Sequence, residues 1–352
     1  MKSETEGIVT TLRLLDATDC GLDFWKLIAD YWQILWTFLP QLDTRYTHPY
    51  VDVNKMKDSF SVKKCPMDRR WMKMGEKCKK FIEWYFPHFL DHLYIKKYLG
   101  KANSWLDLKA KQNALIKLKG IRSVSLSLLR QMATLDYYDP SWGVNAYYSR
   151  ENNALVTLNA YLQPPVFNHD FPAPFNYAGI GVTLGHELTH AFDAWGSYYD
   201  AEGKYNNDWL LPDIRRKFQE RKQCFVKQYG DIKVQVDGTL LSINGSLTAN
   251  ENIADNGGLI AAFNAFQLLK QKHNYPKHVF NGLRQYNEEQ LFFIHYAYRQ
   301  CSKMGQIWLR QRLSVGQHSV TPARVNVPLQ NFPKFAKAFK CPLGSAMNPY
   351  LK

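Results

Sequence analysis

The spacing of apolar positions divides the chain near residue 140. Upstream, apolar residues recur every three or four positions, the period of a helix that buries one face. Phe24–Trp36 keeps this period until Pro40, Met74–Phe86 keeps it until Pro87, and Trp105–Leu118 follows Ser104, a residue suited to cap a helix. These stripes predict a helical region with a packed core and no chemistry of its own. Beyond Ser141 the texture changes. Val144–Tyr148 and Ala154–Leu158 carry the β-branched and aromatic content of short strands, separated by the polar run Ser149–Asn153. Pro164 and Pro165 end that pattern, and a proline-rich loop leads into a helix around Gly185–Asp193. A loop with Gly196, Asp200 and Gly203 comes next, then a polar helix from about Asp208 to Tyr229. The pattern predicts a mainly α (α+β) chain, with a helical region over 1–125 and a mixed region with a small sheet over 126–352.

Within the helix around 185–193 lies H-E-x-x-H, formed by His186, Glu187 and His190. Four residues are just over one helical turn, so both imidazoles project from one face and can grip one metal ion, most often zinc. Glu187 stands between them, placed to act as general base towards a metal-bound water. Asp193 returns to the same face and can accept the second ring N–H of a ligand, fixing its tautomer. A third ligand must come from elsewhere. Glu251 and Asp255, four apart in Glu251–Gly258, are its expected source: the first carboxylate binds metal and the second orients a histidine. Asn145, at the start of the first strand, offers an amide to orient a peptide paired along that strand.

Composition adds limits. A hydrophobic fraction of 45% and an aromatic fraction of 14% over 352 residues belong to a folded protein with a sizeable core. No run of about 18 apolar residues occurs, so no transmembrane span is predicted, and the charged start of the chain does not resemble a signal peptide. The net charge of +14 raises an anionic partner, with the densest basic stretch at Lys55–Lys80. Acidic residues interrupt that stretch and no nucleic-acid module accompanies it, so it reads as a solvated helical face and no nucleic-acid partner is expected. Six cysteines, at 20, 65, 78, 224, 301 and 341, form no C-x-x-C pair and leave the compartment open. Asn244–Ser246 is a glycosylation sequon, to be used only if the chain is exported.

Three blocks carry a family resemblance: Asn145–Tyr148, Gly185–Asp193 and Glu251–Gly258. In order and spacing they resemble the signature of the neprilysin family of zinc metallopeptidases, which includes neprilysin and the endothelin-converting enzymes. Leu162–Pro165, Gln223–Gly230, Gln290–Phe293, Cys341 and Met347–Pro349 extend the likeness to the end of the chain. Upstream it is looser, with Asn103–Asp107 similar to a helical segment of the family's other domain.

The resemblance implies a thermolysin-like catalytic domain preceded by a partial helical lid domain. It implies one Zn²⁺ per chain on His186, His190 and Glu251, with Glu187 as catalytic base and Asp193 and Asp255 orienting the ligands. Asn145 and Ala146 would hold the substrate backbone. His318 and Arg324 resemble an H-x-x-x-x-x-R element in which the histidine stabilises the tetrahedral intermediate and the arginine contacts substrate. The implied activity is hydrolysis of peptides, in an extracellular or cell-surface setting. The chain departs from the family at Gly316, where an acidic residue is usual, and in lacking a terminal C-x-x-W. Cys224 resembles the partner of that missing cysteine, and Cys301 and Cys341 resemble residues that bond to cysteines near the start of the extracellular region. By the same comparison the chain resembles a truncated form. Two other readings remain: a truncated family member that binds zinc or peptide without turnover, and a basic interaction module working through Lys55–Lys80.

Overall fold

The computed structural model describes residues 108–126, 144–168, 170–206, 211–271, 275 and 283–350. The helices expected over Phe24–Trp36 and Met74–Phe86, the basic stretch Lys55–Lys80, and Cys20, Cys65 and Cys78 lie outside the described residues. Of the third expected helix, α1 is Leu108–Gly120, succeeded by strand β1 at Arg122–Leu126. Strand β1 pairs with β3, and Leu118 of α1 shares a core cluster with Tyr148, Leu155, Leu184 and Leu188.

Strands β2 (Ala146–Ser149) and β3 (Ala154–Leu158) match the expected pair to within two residues. The sheet has order β1-β3-β2, parallel between β1 and β3 and antiparallel between β2 and β3, with Ala146 opposite Thr157. All five residues of β3 are buried. A central strand covered on both faces needs no polar alternation, and Leu155 packs with the α1 side while Val156 and Leu158 pack with Tyr147 on the other. Strand β2 lies at the sheet edge.

A short helix α2 (Ala173–Asn176) passes through a wider, π-helical turn at Tyr177–Gly181 into α3, Val182–His190. Helix α4 spans Pro212–Gly230, starting where proline fits the first turn, and leads to a hairpin of β4 (Lys233–Val236) and β5 (Thr239–Ser242). Helix α5 is the longest of the described helices, 26 residues over Gly245–Lys270, and Asn244 caps it by accepting from the N–H of Leu247 at 3.0 Å. Four further helices close the fold: α6 (Glu288–Arg299), α7 (Gln306–Val315), α8 (Thr321–Gln330) and α9 (Pro333–Phe339). No described helix is long and apolar enough to cross a membrane.

Helices α3 and α5 pack together closely enough that side chains are excluded between them. A Cβ on Gly258 would stand 2.7 Å from the backbone nitrogen of His186, and one on Gly185 would stand 2.9 Å from the carbonyl of Gly258. Both glycines are thus required by close approach rather than by conformation, and that approach brings Glu251 and Asp255 beside His186. Further along α5, Phe263 and Phe266 join Phe292, Phe293, Phe332, Phe335 and Phe339 from α6 and the α8–α9 segment in the main core. Phe263 stacks on Phe293 with centroids 4.9 Å apart.

Candidate metal centre

The candidate ligands come from two elements. Helix α3 presents His186 and His190 on adjacent turns, and α5 brings Glu251 across from the other side. His186 Nε2 lies 3.1 Å from His190 Nε2 and 3.1 Å from Glu251 Oε2, and His190 Nε2 lies 3.5 Å from the same oxygen. Among the described residues these three form the group able to hold a metal ion. Donors held at about 2.0–2.1 Å by a tetrahedral zinc ion are roughly 3.3 Å from one another, so the triangle fits without rearrangement.

The outer nitrogens settle which atoms face inward. His186 Nδ1 donates to Asp255 Oδ1 at 2.9 Å, and His190 Nδ1 donates to Asp193 Oδ2 at 2.7 Å. With both Nδ1 protons committed to carboxylates, two Nε2 lone pairs and a carboxylate oxygen converge on one point. Such a cluster repels itself unless a cation sits between its members. Free of metal, it calls for protons instead. Burial opposes charge on His186 and His190, but hydrogen bonds to Asp255, Asp193 and Glu251 outweigh it and raise both imidazoles above their ordinary range. Burial likewise disfavours the Glu251 carboxylate, yet hydrogen bonds from His186, His190 and His318 hold it far below the usual carboxylate range. A metal ion would replace those protons.

Each orienting carboxylate is itself held. Asp193 Oδ1 accepts from the N–H groups of Trp195 at 2.8 Å and Gly196 at 2.7 Å. Asp255 is gripped by Arg324, whose Nε and Nη2 donate to its two oxygens at 2.7 and 2.8 Å. That pairing, with the bond from His186, overcomes burial and keeps the Asp255 carboxyl well below its ordinary value. Glu187 is buried beside both histidines, and burial raises its carboxyl.

His318 reaches the same cluster. Its Nε2 donates to Glu251 Oε2 at 2.9 Å, its ring stacks on His186 with centroids 6.3 Å apart, and 39% of its side chain remains exposed, so it stands at the rim. Ser319 Oγ donates to Asn252 Oδ1 at 2.7 Å, both groups buried, and so ties the residue after His318 to the residue after Glu251. An anchor for His318 therefore exists without an acid at Gly316. Arg324 spends two donors on Asp255; among the described residues its Nη1 has no partner. Asn145 is exposed at the start of β2 and its carbonyl accepts from Leu158 N at 3.0 Å, while Ala146 is buried on the strand that packs against α3.

Residues 145–352, more than half of the chain and the whole of this constellation, match peptidase family M13. The chain belongs to that family. Neprilysin-1 of Caenorhabditis elegans is 42% identical over 222 residues, which are 63% of this chain and 29% of the relative. Human endothelin-converting enzyme-like 1 is 36% identical over 236 residues, 66% of this chain and 30% of the relative. Among solved structures, the Mycobacterium tuberculosis zinc metalloprotease Zmp1 in complex with inhibitor superposes with a TM-score of 0.67 at 25% identity, covering 76% of this chain and 45% of that one. PepO from Lactobacillus rhamnosis gives 0.64 at 25% identity, covering 78% and 46%. The chain thus spans about three-tenths of the length of these curated relatives.

Within the M13 match every expected ligand converges, along with Glu187, Asp193, Asp255, His318 and Arg324. Reading the sequence overlooked Asn252 and Ser319. Asn252 had a signal, since it lies inside the block around Glu251; Ser319 had none, because its partner is distant in the chain. The thiols of Cys224 and Cys301 are free, while Cys341 is disulfide-bonded.

Proposed function

We propose that this chain is a zinc-dependent endopeptidase of the neprilysin type, hydrolysing peptide bonds in peptides with one zinc ion per chain. The observation that carries the reading is the convergence of His186 Nε2, His190 Nε2 and Glu251 Oε2, with both Nδ1 protons already committed. Zinc held there supplies a Lewis acid that acidifies water and polarises a carbonyl group. Glu187, buried against both imidazoles, takes a proton from the attacking water and passes it to the leaving amine. His318, at the rim, donates from its ring to the oxygen that gains charge as the carbonyl is attacked. Asn145 and Ala146 hold the substrate main chain along the edge strand β2. Arg324 keeps Asp255, and through it His186, in register and offers Nη1 to the substrate.

Peptides are accordingly the expected partners. An extracellular or cell-surface setting accords with the disulfide at Cys341, a bond that persists in oxidising compartments. The test is incubation with a library of quenched peptides, before and after a chelator and again after zinc is restored. Cleavage that stops with the chelator and returns with zinc is expected. Cleavage that survives chelation contradicts the zinc mechanism. Bound zinc with no cleavage of any peptide selects the rival, a family member that binds without turnover.

A further inference from the structure

Lys117, on α1, is fully buried. Its ammonium donates to three backbone carbonyls, those of Ala191 at 2.7 Å, Gly196 at 2.6 Å and Tyr199 at 2.6 Å. All three lie in the turn immediately after the metal-binding helix. Ala191 is the residue on which α3 ends, so the charge sits at the negative end of that helix and occupies a carbonyl the helix leaves unsatisfied. The same ammonium lies 5.6 Å from the centroid of the Phe192 ring.

This turn also carries Asp193, whose Oδ1 takes the N–H groups of Trp195 and Gly196 and whose Oδ2 takes the Nδ1 proton of His190. Gly196 is therefore held from both sides, its N–H by Asp193 and its carbonyl by Lys117. There is no slack at this point: a Cβ on Gly196 would lie 1.8 Å from the carbonyl oxygen of His190. Asn153, in the turn between β2 and β3, fixes the clamp's own position by donating to the carbonyls of Lys117 at 3.1 Å and Ala201 at 2.9 Å. Burial draws the lysine down to about 7, and the charges of Asp193 and Asp200 work against that shift. Lys117 also precedes the segment that matches family M13.

We infer that Lys117 is a positioning residue of the metal centre, acting through the 191–199 turn to hold Asp193 on His190 and so to aim His190 at the metal. The inference rests on the metallopeptidase reading, and zinc affinity tests the two separately. The full chain, Lys117→Met, Lys117→Gln, Asp193→Asn and the double variant Lys117→Met/Asp193→Asn are titrated with zinc against a chromogenic chelator, with circular dichroism and melting recorded beside each. Losing an outer-shell partner weakens metal binding by about 10–100-fold. A loss in that range is expected for each Lys117 variant and for Asp193→Asn, and the double variant should bind no more weakly than Asp193→Asn alone. If Lys117→Met does not fold, Lys117→Gln, which keeps two N–H donors without the charge, carries the comparison. A lower melting temperature with unchanged zinc affinity, or losses that add in the double variant, would overturn the inference and leave Lys117 as packing. A wild-type chain that binds no zinc would instead overturn the metal site itself.

Discussion

The two halves of α5 face different kinds of neighbourhood. Its N-terminal half carries Glu251, Asn252, Asp255 and Asn256, each spoken for by a directional contact with His186, Ser319, Arg324 or Tyr229. Its C-terminal half carries Phe263 and Phe266, which touch the rings of Tyr177, Tyr275, Phe292, Phe293 and Phe332 in a mainly aromatic setting. The first half holds a few atoms at fixed distances. The second removes area from water. Loss of one contact should therefore disturb chemistry in the first half and stability in the second.

Asp255→Ala should have the largest effect, because it strikes both properties. It strands the Arg324 guanidinium, held largely out of solvent, without its carboxylate, a change worth about 3–5 kcal/mol of stability, and it frees His186 Nδ1. Denaturant unfolding with a parallel zinc titration should record both losses; intact zinc affinity would mean that Asp255 does not orient His186. Phe293→Ala, which removes from α6 the ring stacked on Phe263 of α5, should cost a similar amount, about 3–5 kcal/mol, yet leave zinc affinity unchanged at temperatures where the variant is folded. A large fall in zinc affinity there would erase the distinction between the halves.

His295 sharpens the comparison through pH. It is fully buried in the aromatic region, stacked on Phe175 at 5.0 Å, and its Nε2 donates to the Pro165 carbonyl. Burial lowers it to about 4 from an ordinary value of 6.5. As pH falls below 6.5 the unfolded chain takes up a proton that the folded chain refuses until about 4, so stability declines across that window by about 3 kcal/mol and then levels. His295→Gln should flatten this part of the pH–stability curve, measured by denaturant midpoints at several pH values. An equally steep decline in the variant would place the proton elsewhere. Ser319→Ala should have the smallest effect, about 1–3 kcal/mol from leaving the buried Asn252 oxygen unpaired. Its mark should be a lower kcat with zinc content unchanged; loss of zinc would move Ser319 from His318 to the ligands.

Legibility in the chain obeys the same division. The residues of the proposed metal centre are local patterns: His186 with His190, and Glu251 with Asp255, each four residues apart on a helix. Likewise β2 and β3 were legible because an apolar run stands on either side of a polar turn. Strand β1 was not, since it pairs with β3 across about thirty residues and its parallel partnership leaves no mark in its own few residues. Lys117 was hidden for a related reason. Flanked by Lys109, Lys111 and Lys119, it looks like one more solvated charge, and only the fold reveals the three carbonyls around it. Arg324 was expected to face substrate, and its bidentate grip on Asp255 depends on how α8 lies against α5.

The central claim is that Glu187 acts as base beside a zinc ion held by the His186–His190–Glu251 triangle. Its most direct test is metal content and peptide cleavage measured side by side for the wild-type chain and Glu187→Gln. Close to one zinc per chain is expected in both proteins, with cleavage slowed by about 10²–10⁴-fold in the variant alone. A variant that keeps its zinc and cleaves at the wild-type rate would contradict the claim.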